Sequence, residues 1–502
     1  MFTKNSFWIC ISSCLLISII MTWHSVIVII YLFILFAVVA RILNDTHSAN
    51  KAMAYIMLCL FLPILGIIFY LVFGINYWKK KKYSEKAIKN FRMLEFLRKN
   101  ISQYEKVVMK IDTMTVQENS ELASLLIRDL GSPLTGQNKI TLLTNGEEKF
   151  PNILDTIKSS THHIHLEYYI YECDETGMKL IEALIEKALE GIKVRFIYDD
   201  FGSPGIKSSV EKKMTEAGIE IFAFHKIKYY LLANRFNYRN HRKIIIVDGD
   251  IGFVGGINVS DKYVNGENTS KLYWRDTHIK IEGPATYYLQ YLFIIDWNFC
   301  CGNSFEPDRS YFRESSETKG NSYVQIAAGG PDSPLPSILY SLLQVIYLAK
   351  EEILITTPYF IPGDSMLDAL CVSALSGLKV KLLVPGISDS KIVNAASRSN
   401  YNRLLQAGVE IYLYRKGFIH AKTIITDNRL SVIGTANMDV RSFELNFEVN
   451  AIVYDKETAG QMRAIFFKDL ENAEKINKEE WLHRPWKYQF PEKLARLLSP
   501  VL

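Results

Sequence analysis

Two imidazoles, two ammonium groups and two carboxamides recur at matched spacing in this chain. They lie in Asn240 to Asn258, NHRKIIIVDGDIGFVGGIN, and in Phe418 to Asn437, FIHAKTIITDNRLSVIGTAN. The first stretch supplies His241, Lys243, Asp248, Gly255 and Asn258, and the second His420, Lys422, Asp427, Gly434 and Asn437. In both, lysine follows histidine by two positions, aspartate follows by five more, glycine by seven and asparagine by three. A lone histidine or lysine on a strand is usually packed or solvated, but repetition of the whole set argues for chemistry. The inventory suits a phosphodiester. Ammonium and amide groups meet its oxygens, one imidazole attacks phosphorus, and a second protonates the leaving alcohol. That chemistry calls for no metal and no cofactor.

An imidazole is a better nucleophile when its other nitrogen donates to a carboxylate, which fixes the tautomer. Asp276 in YWRDTHIKIEG and Glu448 in SFELNFEVN follow the two motifs and are the candidate histidine-orienting groups. The neighbouring acids Asp199 and Asp200 read instead as a strand-end turn, because adjacent strand residues point to opposite faces.

Runs of β-branched residues flank Asp248-Gly249-Asp250 and Asp427-Asn428-Arg429, which predicts a β-hairpin at each motif. With two-residue loops, Gly249-Asp250 and Asn428-Arg429, Lys243 would face Gly256 and His241 would face Asn258. Lys422 would likewise face Thr435, and His420 would face Asn437. The small residue opposite each lysine would leave room for a ligand, with Asn258 and Asn437 as phosphate-binding groups. Asp248 and Asp427 fall off the His/Lys face and are expected to shape the turns.

The surrounding sequence repeats as well. GIKVRFIYDD at 191–200 matches GLKVKLLVPG at 377–386, and AGIEIFAFHK at 217–226 matches AGVEIYLYRK at 407–416. Short apolar runs alternate with helical segments, which predicts α/β units with helix-covered sheets. The expected domains are a transmembrane helical anchor at 1–78, a basic juxtamembrane linker at 79–135, and two repeats at 136–321 and 322–502. The polar segment Gly302 to Asn321 joins the repeats.

Ser6 to Ile42 and Ala52 to Gly74 are apolar runs separated by a polar gap. Each is long enough for a membrane-crossing helix, and the first could break into two near Trp23-His24, so two or three spans are expected, with two favoured. The KKKK run at Lys79 to Lys82 predicts that everything beyond it is cytoplasmic. The insert Ile227 to Arg239, basic and aromatic at once, reads as a loop or as an interfacial element meeting lipid. A net charge of +5 over 502 residues is too small to argue for nucleic acid. Seven irregularly spaced cysteines, an odd number, argue against a disulfide framework.

The doubled HxKxxxxD followed by GxxN resembles the phospholipase D superfamily. LPILGIIFYLVFG, NHRKI, WRDTHIKIEGPA, SRSNYNRLLQAGVEIY, FIHAKTIITD and SFELNFE make the chain similar to bacterial cardiolipin synthases along nearly its whole length. The resemblance implies two tandem phospholipase D-like α/β domains forming a pseudo-twofold catalytic unit behind a membrane anchor. It also implies a multi-pass protein of the bacterial cell membrane that transfers a phosphatidyl group between two phosphatidylglycerol molecules, through a phosphohistidine, with release of glycerol. His241, Lys243, Asp248, His420, Lys422 and Asp427 carry over as catalytic-motif residues. Hydrolysis, or transfer to another lipid or alcohol, is the alternative outcome of the same chemistry. The expected partners are phosphatidylglycerol and membrane lipids, not nucleic acid. A homodimer is compatible with the sequence.

Overall fold

The computed structural model describes residues 4–45, 49–74, 114–224, 238–266, 272–302, 305, 309–312, 319–497 and 499. Its contacts divide the chain into an N-terminal unit and a larger unit that carries both motifs. The basic run at 79–82 and most of the 227–239 insert lie outside the described residues.

The first repeat contributes β1 (Thr135–Thr144), β2 (His163–Tyr168), β3 (Lys193–Asp199), β4 (Glu220–Phe224), β5 (Lys243–Val247), β6 (Ile251–Gly255), β7 (Tyr273–Arg275) and β8 (Thr277–Glu282). The second contributes β9 (Ser322–Gly329), β10 (Glu352–Thr356), β11 (Phe360–Ile361), β12 (Lys379–Pro385), β13 (Glu410–Tyr414), β14 (Gly417–Ile419), β15 (Thr423–Thr426), β16 (Leu430–Gly434), β17 (Met438–Asp439), β18 (Glu448–Tyr454) and β19 (Ala473–Lys475). Fifteen of these form one sheet in the order β19-β13-β12-β10-β15-β16-β18-β9-β1-β8-β6-β5-β2-β3-β4. Followed outward from the central β1–β9 pair, the two halves repeat the same order, and β19 alone lacks a counterpart. The fold is thus two tandem α/β repeats related by a pseudo-twofold.

The repeat is legible in the packing. In β5, Ile244 and Ile246 enter a core shared with the second repeat, whereas Ile245 and Val247 enter the core beneath the first repeat's outer helices. In β15, Ile425 joins the shared core and Ile424 the second repeat's outer core. Strands buried on both faces carry continuous apolar runs rather than alternation. Helix Thr286–Cys301 fills the shared core with Phe293, Ile294 and Trp297.

The hairpins form, but one residue out of the expected register. Ile244 pairs with Val254 and Thr423 with Ile433, so the lysines lie level with Gly255 and Gly434 rather than Gly256 and Thr435. The loops therefore have three residues. Asp248 (φ 55°) and Gly249 (φ 80°) in one turn, and Asp427 and Asn428 (both φ 52°) in the other, adopt left-handed conformations. Asp and Asn tolerate this region better than other side chains because they hydrogen-bond locally.

The N-terminal unit corrects the expected span count. Within helix α1 (Lys4–Asp45), Ser25–Asp45 is the one stretch among the described residues long and apolar enough to cross a membrane. The run expected as a second span is broken into α2 (Ala49–Phe61) and α3 (Pro63–Phe73). Pro63 lacks an N–H and disfavours helical geometry at Leu62, which sits at φ −125° and ψ 74°. The chain folds back there. The rings of Tyr55 and Tyr70 lie 5.4 Å apart, and a Cβ on Gly66 would fall 2.3 Å from the Leu58 carbonyl oxygen.

Candidate active site

Each motif histidine enters the site from a segment that is hydrogen-bonded to the other repeat. The His241 N–H donates to the Phe447 carbonyl at 2.9 Å, and the Phe447 N–H to the Arg239 carbonyl at 2.9 Å. On the other side the His420 N–H donates to the Arg275 carbonyl at 2.7 Å, and β14 runs parallel to β7. The residue after each partner carbonyl is the orienting carboxylate. Glu448 therefore sits beside the histidine of the first repeat, and Asp276 beside that of the second.

His241 Nδ1 lies 2.9 Å from Glu448 Oε2, and His420 Nδ1 lies 2.7 Å from Asp276 Oδ2. Each pairing spans the two repeats. A carboxylate can only accept, so Nδ1–H donates and Nε2 keeps its lone pair for the reaction. Both carboxylates are fully buried and fixed by further contacts. Thr435 Oγ1 donates to Glu448 Oε2 at 2.5 Å, and the Thr277 N–H donates to Asp276 Oδ1 at 2.7 Å. The residues that the off-by-one register removed from the lysines take up this task. Thr435 holds Glu448, and Gly256 leaves the space that Asp276 fills, since a Cβ there would be 2.2 Å from Oδ1.

The lysines lie on the same face as the histidines. Lys243 Nζ donates to the His241 carbonyl at 2.7 Å, and Lys422 Nζ donates to the His420 carbonyl. Lys422 Nζ is also 2.9 Å from His420 Nδ1. Burial pushes the His241 imidazole down to about 4 despite Glu448, with Lys243 and Lys422 adding to the depression. Burial and Lys422 push His420 down to about 3 against the pull of Asp276. Lys243 falls to about 7 and Lys422 to about 8, both mainly through burial and partly offset by the two carboxylates. Burial works against ionisation of those carboxylates, yet His241 and Lys243 hold Glu448 low, and Lys422 and His420 hold Asp276 low. Groups from the two repeats thus feel one another across a single recessed cluster with neutral imidazoles and ammonium groups that lose their charge near neutral to mildly alkaline pH.

The asparagines are engaged differently from each other. Asn258 Oδ1 accepts from the Ile170 N–H at 3.2 Å, and Nδ2 donates to the Tyr263 hydroxyl at 2.9 Å. That hydroxyl lies 3.5 Å from His420 Nδ1, so Asn258 reaches the second histidine through Tyr263. Asn437 keeps a buried Oδ1 without a partner among the described residues. Asp248 and Asp427 lie away from the imidazoles. Asp248 accepts from the N–H groups of Thr161, His162 and His163, and Asp427 from those of Lys350, Glu351 and Glu352. Each ties its hairpin turn to the start of the neighbouring strand, β2 or β10. Asp199 does the same at a strand end, accepting from the Phe201 and Gly202 N–H groups at 3.1 and 2.9 Å.

Several site residues carry no sequence signal. The ring of Tyr169 meets His241 edge-on at 4.8 Å, while Trp274 and Tyr263 lie 5.5 and 5.9 Å from His420. Lys149, fully buried on helix Asn145–Lys158, donates to the Ile257 carbonyl at 2.7 Å and fixes the loop before Asn258. Arg242, between the motif's histidine and lysine, points the other way into a buried ion pair with Asp296. None of these stands at a repeated position, so spacing could not reveal them.

Comparison with known proteins identifies the family. The family described as cardiolipin synthase, PLD-like domain matches residues 153–282 and 342–470, and a phospholipase D-nuclease N-terminal family matches 26–74. The chain is 40% identical over 472 residues to the major cardiolipin synthase ClsA of Bacillus subtilis, covering 93% of this chain and 97% of that one. It is 40% identical over 467 residues to cardiolipin synthase 1 of Bacillus anthracis, covering 91% and 90%. Among solved structures, phosphatidylserine synthase of Haemophilus influenzae shares the fold, with a TM-score of 0.58 at 14% identity over 78% of this chain and all of that one. With two matched catalytic repeats and relatives of this identity along nearly its full length, the chain belongs to the cardiolipin synthase family of the phospholipase D superfamily.

Proposed function

We propose that this chain joins two phosphatidylglycerol molecules into cardiolipin, releasing glycerol, through a phosphatidyl-histidine intermediate. The observation that carries the proposal is the pair of crossed contacts, His241 with Glu448 and His420 with Asp276, which orients two Nε2 atoms within one cluster.

In the first step His241 Nε2 attacks phosphorus and the P–O bond to the departing glycerol breaks. His420 gives that oxygen its proton. In the second step the terminal hydroxyl of another phosphatidylglycerol attacks phosphorus, the P–N bond breaks, and the hydroxyl proton passes to His420. Cardiolipin leaves, and His420 is protonated for the next cycle. In this reading His241 is the nucleophile and His420 the general acid and base. The ligand-free site holds both imidazoles neutral. Entry of an anionic phosphodiester between Lys243 and Lys422 offsets their charge and allows His420 to take up a proton. The same ammonium groups and Asn437 then stabilise charge on the phosphoryl oxygens. Asp248 and Asp427 complete the motifs as turn residues, and the four expected domain ranges are retained in this reading.

A lipid acceptor calls for a site at a membrane. The apolar helix Ser25–Asp45 supports an anchor, and the basic run after residue 78 supports a catalytic region on the cytoplasmic face of the bacterial cell membrane. Purified protein supplied with labelled phosphatidylglycerol should produce cardiolipin and glycerol, and His241→Ala and His420→Ala should abolish both. Phosphatidic acid as the sole product would establish hydrolysis instead.

A further inference from the structure

The reacting groups obey the pseudo-twofold, yet the two substrates do different things, so whatever distinguishes them must break the symmetry. Tyr168 lies level with Lys243, and Thr356 with Thr423, which places Thr357 level with Lys422. Two residues further along each chain stand Ile170 in the first repeat and Tyr359 in the second. Ile170 is aliphatic, and its polar contacts are backbone ones: its N–H donates to Asn258 and its carbonyl accepts from the Val259 N–H. Tyr359 donates its hydroxyl to Asp389 Oδ2 at 2.6 Å. Asp389 sits in the short loop between β12 and helix Lys391–Arg398 and is exposed.

Phe418 links this pair to the second histidine. The ring of Tyr359 is 6.4 Å from that of Phe418, which is 5.7 Å from His420. Asp389 is also close enough to help Lys422 keep its proton. Among the described residues no ion pair neutralises Asp389. The acid on the His241 side is used up differently. Asp199 is buried, with Oδ1 on two backbone N–H groups, Oδ2 on the Asn240 N–H at 3.1 Å, and Arg239 at 3.9 Å. A second acceptor atom is at hand on the His420 side. Asn437 Oδ1 is buried and has no partner among the described residues, and its residue contacts Asp439, whose charge reaches Tyr359.

We infer that Asp389, held by Tyr359, binds the hydroxyl groups of the acceptor alcohol and selects a vicinal diol. An ionised carboxylate accepts and cannot donate, so it suits hydroxyl donors and repels phosphate. With Oδ2 on Tyr359, Oδ1 remains for the acceptor's second hydroxyl while the terminal hydroxyl approaches phosphorus beside His420. Among the described residues the equivalent position of the first repeat, Ile170, carries no such tyrosine–carboxylate pair, so that side takes the phosphatidyl donor. A polar site of this kind rejects an analogue that lacks the hydroxyl far better than an apolar pocket rejects a misfit.

The inference rests on the proposed phosphatidyl transfer, and one experiment separates the two. Full-length protein in phosphatidylglycerol vesicles is given equal 1,2-propanediol and 1-propanol, and the two phosphatidyl alcohols are quantified alongside cardiolipin. The wild type should favour the diol, and Asp389→Asn should cut that preference by about tenfold, the scale of one lost charge-assisted hydrogen bond. Tyr359→Phe should cut it less, with phosphoenzyme still forming in both variants. An unchanged diol preference in Asp389→Asn, or a wild type without preference, overturns the inference while leaving the transfer reading intact. A wild type that forms neither cardiolipin nor any phosphatidyl alcohol overturns both.

Discussion

Glu448→Gln tests the crossed orientation most directly. Gln is nearly isosteric and its amide oxygen can still accept from His241 Nδ1, so the tautomer survives while the charge is lost. The contact is 2.9 Å long with both partners buried, so solvent cannot restore it. A hydrogen bond to a charged group contributes about 1.5–3 kcal/mol. Because Gln retains a neutral bond of about 0.5–1.5 kcal/mol, about 1–1.5 kcal/mol is lost, and at 1.36 kcal/mol per tenfold in rate phosphoenzyme formation should slow by about 5- to 13-fold. The assay is a single-turnover burst with a phosphatidyl ester of p-nitrophenol, a leaving group that needs no general acid. Glu448→Gln should slow this burst by the stated factor. Asp276→Asn should leave the burst within about threefold and slow turnover on phosphatidylglycerol by about 5- to 13-fold. The reverse pattern would make His420 the nucleophile. A change below about threefold in every rate for both variants would refute the orienting role altogether.

Gly256→Ala should lose at least about 100-fold in turnover with little change in unfolding midpoint, because its Cβ would displace Asp276 Oδ1 from 2.2 Å away. Asp248→Ala should lower stability by about 3 kcal/mol in denaturant titrations by freeing three backbone N–H groups and placing alanine at φ 55°, whereas Asp248→Asn should cost far less. Burial opposes ionisation of Asp248, but Thr161, His162 and His163 hold its carboxyl below the usual range. Its stabilisation is therefore present above about pH 4 and lost as pH falls through the lowered folded value, which acid titration of the wild type against Asp248→Asn can read. With Lys243 at about 7 and Lys422 at about 8, kcat/KM should decline as pH rises through 7–8 because the ammonium charges that attract the phosphodiester are lost. Binding that is insensitive to pH up to 9 would contradict this.

The sequence by itself carried the repeat, the reacting groups and the α/β class. Matched spacing at His241, Lys243, His420 and Lys422 is local information, and β-branched runs around Asp248 and Asp427 encode hairpins through short-range sterics. The hairpin register was not legible, because it depends on left-handed conformations at Asp248 and Asp427 that are held by N–H groups some 75–90 residues away in sequence. The expected second span failed for a related reason. Composition counts apolar residues, whereas Pro63 and Gly66 decide whether their helix continues or folds back.

Only the tertiary structure decided which carboxylate serves which histidine. Asp276 follows His241 in sequence and Glu448 follows His420, yet each acid crosses to the other repeat. The reason is topological. The segment before each histidine pairs with the segment before the opposite repeat's acid, at Phe447 and at Arg275, and such long-range pairing leaves no trace in local spacing. The same holds for the partners gathered around the imidazoles, among them Tyr169, Tyr263 and Trp274, which chain folding brings together from positions that the repeat does not share.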